Sequence, residues 1–268
     1  MALLEVKKLT KNFGGLTAVG DVSMELNEGE LVGLIGPNGA GKTTLFNLLT
    51  GVYEPSEGTV TLDGTVLNGK APYKIASLGL SRTFQNIRLF KDMTVLENVL
   101  VGLSNKQPSN FFASLLRLPK YYSGEEELKE KAMKLLAIFN LDDEAETLAK
   151  NLAYGQQRHL EIVRALATEP KILFLDEPAA GMNPQETAEL TAHIRQIQKD
   201  FGITIILIEH DMSLVMDVTE RIYVLEYGRL IAEGTPDEIK NNKRVIEAYL
   251  GGEASVSYTH LTLPTILL

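Results

Sequence analysis

Four stretches of the chain are apolar at nearly every position: LVGLI at 31–35, ILFLD at 172–176, ITIILIE at 203–209 and RIYVLE at 221–226. Short apolar runs without alternation predict strands buried on both faces, as in a parallel sheet. Before the second of them the pattern is different. LLEVKKL (3–9), the stretch from Thr17 to Leu26 and GTVTLDG (58–64) alternate and are bounded by turn residues, as strands do. Helical patterns separate the buried strands, so the expected fold is α/β, a mainly parallel core sheet joined to an N-terminal antiparallel β unit.

Helix starts are marked locally. Thr94 with Glu97, Ser123 with Glu126 and Thr235-Pro236 with Glu238 match capping boxes, and Asn183-Pro184 with Glu186 resembles one. From about residue 92 to 165 there are helix signals and no convincing strand, which predicts an inserted helical subdomain. Its clearest member, SGEEELKEKAMKLLAIFNL (123–141), sets Leu128, Met133, Leu135, Leu136 and Phe139 along one side and a solvated Glu/Lys face along the other. A single domain is expected over 1–253. The last fifteen residues, 254–268, contain no Asp, Glu, Lys or Arg; this shift in composition marks the segment as non-native or disordered tail.

Composition narrows the function classes. The chain has 268 residues, 44% hydrophobic, with a net charge of −9 and a pI near 5.1. No dense Lys/Arg cluster is available to neutralise phosphates, so a nucleic-acid partner is not expected. The absence of cysteine excludes disulfides and thiolate metal sites. The N-terminus lacks the apolar core of a signal peptide, and the apolar runs are far shorter than the roughly 20 residues of a spanning helix, so a membrane role would come through a partner.

The chemistry begins at GPNGAGKTT, residues 36–44. It matches the phosphate-loop pattern G-x-x-x-x-G-K-[ST], directly after the strand LVGLI and before the helical run LFNLL. Gly36, Pro37, Asn38, Gly39, Ala40 and Gly41 would wrap a phosphate with backbone N–H groups at a helix start. Lys42 would reach the β- and γ-phosphates of a nucleoside triphosphate, Thr43 would hold Mg2+ and Thr44 would back the α/β-phosphates. ILFLD ends in Asp176, an acid at the carboxyl edge of a buried strand, where a metal ligand is expected; Glu177 beside it would polarise the attacking water. His210 follows ITIILIE, again at a strand end, and could meet the γ-phosphate or the lytic water. Gln85, in SRTFQNI, is a weak signal alone.

GPNGAGKTT, TFQN, AYGQQ, ILFLDEP, AGMN and EHD occur in the order found in the ATP-binding cassette (ABC) family, which residues 3 to about 253 resemble. The resemblance implies a head-to-tail pair of cassettes with two ATP molecules at the interface, the phosphate loop of one facing the AYGQQ turn of the other. It assigns Phe13 to adenine stacking, Gln85 to the metal, catalysis and the link to a transmembrane partner, Glu177 to the catalytic base, Asn183 to the loop crossing to the second site and His210 to the switch histidine. Ala153, Tyr154, Gly155 and Gln156 become the turn that completes the partner's ATP site. Thr43, Gln85 and Asp176 form the metal set.

More narrowly, NLAYGQQR, DEPAAGMNP, IEHDMSLVM, NNKRVIEAYLGG and the helical insertion around FFASLLRLP resemble the ATPase subunit of bacterial branched-chain amino acid importers. That implies permease subunits, a second ATPase subunit, an indirect link to a solute-binding protein, and a peripheral place on the cytoplasmic face of the plasma membrane. The alternatives are the ATPase of another ABC system or a non-transport ABC ATPase. A GTPase is disfavoured because NKQP (105–108) lacks the Asp of a guanine reader. The turn itself departs from the family, in which Ser-Gly-Gly is usual at the positions of Ala153, Tyr154 and Gly155. Ala153 offers no hydroxyl to a γ-phosphate, leaving the backbone N–H groups and helix end, with Gln156 and Gln157 as further donors.

Overall fold

The computed structural model describes residues 2–104 and 119–251, which fall into two compact units, residues 1–78 with 194–268 and residues 79–193. In the first unit, β1 (Leu4–Phe13) pairs antiparallel with β2 (Leu16–Leu26) and β4 (Glu57–Leu62), and β5 (Thr65–Val66) adds to β4. Leu4 faces Leu26 on one side and Leu62 on the other, and all three are fully buried. In β2, Val22, Met24 and Leu26 point inward while Asp21, Ser23 and Glu25 point outward, the alternation read in the sequence.

The second sheet region of this unit is built on β3 (Leu31–Ile35), whose five residues are all buried between two parallel partners, β8 (Thr204–Ile208) and β9 (Arg221–Glu226). The antiparallel β10 (Arg229–Gly234) closes onto β9 through Tyr227-Gly228, both at positive φ, the signature of a tight hairpin turn. Helices α1 (Lys42–Leu49), α2 (Pro72–Ser77), α7 (Met212–Val218), α8 (Pro236–Lys240) and α9 (Lys243–Gly251) belong to this unit. Val215 of α7, Ile239 of α8 and Val245 of α9 share one cluster with Ile35, Ile222 and Val224.

The second unit holds the parallel pair β6 (Leu80–Arg82) and β7 (Ile172–Asp176), and helices α3 (Val95–Ser104), α4 (Pro119–Ile138), α5 (Tyr154–Leu166) and α6 (Pro184–Phe201), which ends beyond it. Of the apolar side expected in the helical insertion, Leu136 and Phe139 are buried and Leu128, Met133 and Leu135 half-buried; Ala132 is buried beside them, and Glu125, Glu126, Glu127, Lys129, Glu130, Lys131 and Lys134 are exposed. Fully buried Asn98 accepts from Phe90 N–H at 3.0 Å and donates to Phe90 O (3.1 Å) and Thr94 O (2.9 Å), so one amide ties the loop ahead of α3 to its helix.

The predicted capping boxes divide. Thr94/Glu97, Thr235/Glu238 and Asn183/Glu186 form reciprocal hydrogen bonds. Ser123/Glu126 does not start a helix, because α4 already runs from Pro119 through Ser123; a Pro at the first helical position is an equally good start signal. The insertion segment FFASLLRLP lies almost entirely, and the tail 254–268 wholly, outside the described residues.

Candidate nucleotide site

In the first unit, the loop 36–41 leaves the carboxyl end of β3 and runs into α1. Gly36 has φ 154°, and a Cβ there would sit 2.0 Å from Leu225 O. Gly41, at φ 100°, caps α1, and its Cβ would meet Ala18 O at 2.6 Å. Both positions therefore exclude every side chain, and the loop is anchored from behind by Gly228 N–H donating to Ala40 O at 2.8 Å. The Lys42 ammonium folds back to donate to Gly36 O at 2.6 Å and Pro37 O at 3.1 Å. No acidic side chain occupies the first turn of α1, so its positive end is not offset locally. Asn38 and Gly39 are exposed, as is Thr43, while Thr44 is half-buried. Such a loop can cradle an anion with backbone N–H groups around a fixed cation.

Phe13 lies in the same unit at the end of β1. Its ring is 44% exposed, which rules out simple core packing and leaves a face for stacking. Tyr53 meets it edge-on with centroids 5.4 Å apart, and the Lys11 ammonium lies 5.2 Å from its centroid while donating to Glu54 O. His210 is exposed just past β8; its N–H donates to Glu209 Oε2, and Asp211 caps α7 through Ser213 N–H and Leu214 N–H.

In the second unit, Asp176 ends β7 almost fully buried, and its Oδ2 accepts from Arg82 Nη2 at 2.7 Å. Glu177 has left-handed backbone, φ 50°, an uncommon conformation for a residue with a side chain and one that concentrates at functional sites. Its Oε2 accepts from Gln85 Nε2 at 3.0 Å. Asn183 caps α6, its Oδ1 accepting from Gln185 N–H and Glu186 N–H.

The AYGQQ turn starts α5 with Ala153 as its uncapped N-cap. Half of a capping box is nevertheless present, because Ala153 N–H donates to Gln156 Oε1 at 3.1 Å. Gln157 spends a donor on Leu152 O at 2.9 Å. Behind the turn, Arg158 and Glu161 are almost completely buried: Arg158 donates to Phe84 O and Gln85 O, and Glu161 Oε1 accepts from Phe84 N–H and Arg88 N–H. Burial pushes the Glu161 carboxyl up, against the pull of those N–H groups and of Arg158.

The predicted residues therefore sort into two sets, each assembled within its own unit. Phe13, Gly36 to Thr44 and His210 lie in the first; Gln85, Ala153 to Gln156, Asp176, Glu177 and Asn183 lie in the second. Sequence reasoning missed Arg82, Arg158, Glu161 and Tyr249. The half-buried Tyr249 has its hydroxyl pKa pushed up to about 12 by desolvation and is hydrogen-bonded to the backbone of Gly36. Each of the four has a partner distant in sequence, although Arg158 also meets Tyr154 and Glu161 within its own helix.

Comparison with known proteins bears on the family. The family described as "ABC transporter" matches residues 19–180, and that described as "Branched-chain amino acid ATP-binding cassette transporter" matches 229–255. The chain is 51% identical over 249 residues, 93% of its own length and 98% of the relative's, to the high-affinity branched-chain amino acid transport ATP-binding protein LivG of Salmonella typhimurium. It is similar to the ADP conformation of MJ1267, an ATP-binding cassette of an ABC transporter, with TM-score 0.81 and 36% identity, covering 94% of this chain and 99% of that one. It is also similar to the dimeric post-hydrolysis state of the cassette MJ0796 bound to ADP and Pi, with TM-score 0.74 and 26% identity, covering 87% and 98%. A phosphate loop with its lysine in place, an acid-ended strand followed by a strained glutamate, and these matches over nearly the whole length converge: the chain belongs to the ABC transporter family.

Proposed function

We propose that this chain is the ATP-hydrolysing subunit of a membrane importer for branched-chain amino acids, acting peripherally on the cytoplasmic face of the membrane with permease subunits and a second ATPase subunit. The observation that carries the hydrolytic part is Glu177, held at φ 50° with its carboxylate fixed by the Gln85 amide. A carboxylate so placed can take a proton from a water while the loop of Gly36 to Gly41, Lys42 and Thr44 binds the phosphates. Phe13 stacks on the base, and His210 donates to the γ-phosphate. The Thr43 hydroxyl, the Gln85 amide oxygen and the Asp176 carboxylate are hard oxygen donors that suit Mg2+, which when bound neutralises charge on the β- and γ-phosphates.

One copy carries one phosphate loop and one AYGQQ turn. In the proposed assembly, the backbone N–H groups from Tyr154 to Gln156, with Asn183 in the crossing loop, complete the ATP site of a second copy or a related subunit. That a similar cassette is dimeric supports pairing with a second ATPase subunit. The solute is proposed from the relatives alone, because an ATPase subunit need not touch it. Reconstitution with the permease pair and binding protein tests this: leucine, isoleucine or valine should stimulate ATP hydrolysis, and a complex stimulated only by another class of solute would overturn the assignment.

A further inference from the structure

Tyr154 stands where the family usually has glycine, and its side chain touches two other parts of the second unit. A Cβ built on Gly181 would lie 3.1 Å from Tyr154 Cε1, so the ring packs on the loop that leads to Asn183. Gly181 also has φ 80°, so both space and backbone favour glycine opposite the ring. One turn along α5, Arg158 Nη2 donates to the Tyr154 hydroxyl at 3.1 Å. That guanidinium is 4% exposed and donates to Phe84 O at 3.0 Å and Gln85 O at 2.5 Å. Its buried Nε has no hydrogen-bond partner, so the group is fixed from its Nη side, by the two carbonyls, the Tyr154 hydroxyl and the Glu161 carboxylate 3.7 Å from Nη1. Gln85 in turn donates to Glu177 Oε2.

We propose that Tyr154 and Arg158 are positioning residues for hydrolysis: the Tyr154 hydroxyl orients Arg158, Arg158 sets the Gln85 backbone, and Gln85 holds Glu177. The path runs from the turn that meets a partner's nucleotide to the catalytic carboxylate of the same chain. It gives a cassette without the usual serine a way to make hydrolysis depend on how that turn is seated. The inference rests on the roles given above to Glu177 and the AYGQQ turn.

Tyr154→Phe keeps the ring on Gly181 and deletes only the acceptor; Arg158→Lys keeps the charge and loses the fork. Hydrogen exchange of the full-length chain should be faster at the amides of residues 84–88 in both variants, by about three- to tenfold in Tyr154→Phe, the range a single hydrogen bond supports. The kcat for MgATP should fall by a similar factor with KM within about twofold, since the phosphate loop is untouched. In a Gln85→Ala background, Tyr154→Phe should cost nothing further. Unchanged exchange at 84–88, a loss carried in KM, or an equal kcat loss in both backgrounds would overturn the proposal. Wild-type hydrolysis by Glu177→Gln would instead remove the reading of Glu177 as base, and the exchange measurement would still decide the coupling.

Discussion

Arg82 and Asp176 form an ion pair at 2.7 Å with both side chains almost entirely withdrawn from water. Asp176 N–H is also held by the Thr83 hydroxyl at 3.2 Å, and Thr83 N–H bonds Phe174 O, so the end of β7 is fixed from β6 and the residue after it. The carboxylate expected to serve the metal is thus oriented by a cation that the sequence does not flag. Arg82→Met should strand a buried charge and destabilise the chain by about 3–5 kcal/mol. Urea unfolding checks this; a loss below about 1 kcal/mol would mean that water or rearrangement replaces the pair.

A second prediction concerns pH. His159 of α5 packs tilted against Phe139, centroids 5.2 Å apart, and meets His193 of α6 edge-on at 5.3 Å, with Glu186 and Glu189 acting on it from α6. Burial, reinforced by the charge of His193, lowers its pKa to about 4, against the opposing pull of the two glutamates. His193 is lowered too, again by burial first. In the folded chain both are shifted towards the neutral form, so the unfolded chain binds more protons below its ordinary histidine pKa near 6.5. Stability is fully present above that pH and is lost as pH falls from about 6.5 towards 4, on the order of 3 kcal/mol for His159. Urea midpoints measured between pH 7.5 and pH 4.5 should fall, and His159→Phe should flatten the dependence. An unchanged slope in that variant would acquit His159.

The buried strands were legible because burial on both faces writes itself as uninterrupted apolar sequence: 31–35, 172–176 and 221–226 match β3, β7 and β9 end to end. β10, a half-exposed edge strand reading RLIAEG, has no such run, and β5 and β6 are too short to carry a period. The phosphate loop was legible for a related reason, since two of its glycines, Gly36 and Gly41, answer to backbone clashes at Leu225 O and Ala18 O. Arg82 and Glu161 left no trace, because a buried charge takes its meaning from a partner chosen by the fold. Gln85 gained its meaning in the same way, through Glu177, 92 residues on.

Glu177→Gln tests the catalytic assignment. The amide cannot accept a proton, so the hydrolysis rate should fall about 10²–10⁴-fold. Binding should survive, and MgATP should then convert the variant from monomer to dimer in sedimentation velocity. An unshifted monomer would count against ATP-driven pairing, and a wild-type rate would remove Glu177 from its role.

Ala153 offers the last test, because its position asks for a residue it does not have. It has the extended backbone of an N-cap, φ −58° and ψ 155°, and Gln156 already reaches back to its N–H. Only the side-chain oxygen that would accept from Gln156 N–H is absent. Ala153→Ser supplies it, completing a capping box and stabilising α5 by about 0.5–2 kcal/mol. The same hydroxyl lies on the turn proposed to meet a partner's γ-phosphate, where it adds a donor without displacing the backbone N–H groups. ATP hydrolysis should therefore stay level or rise while thermal stability increases. A collapse in activity with a raised melting temperature would mean that the turn must stay free of a hydroxyl, its seating being tuned by the Tyr154 ring instead.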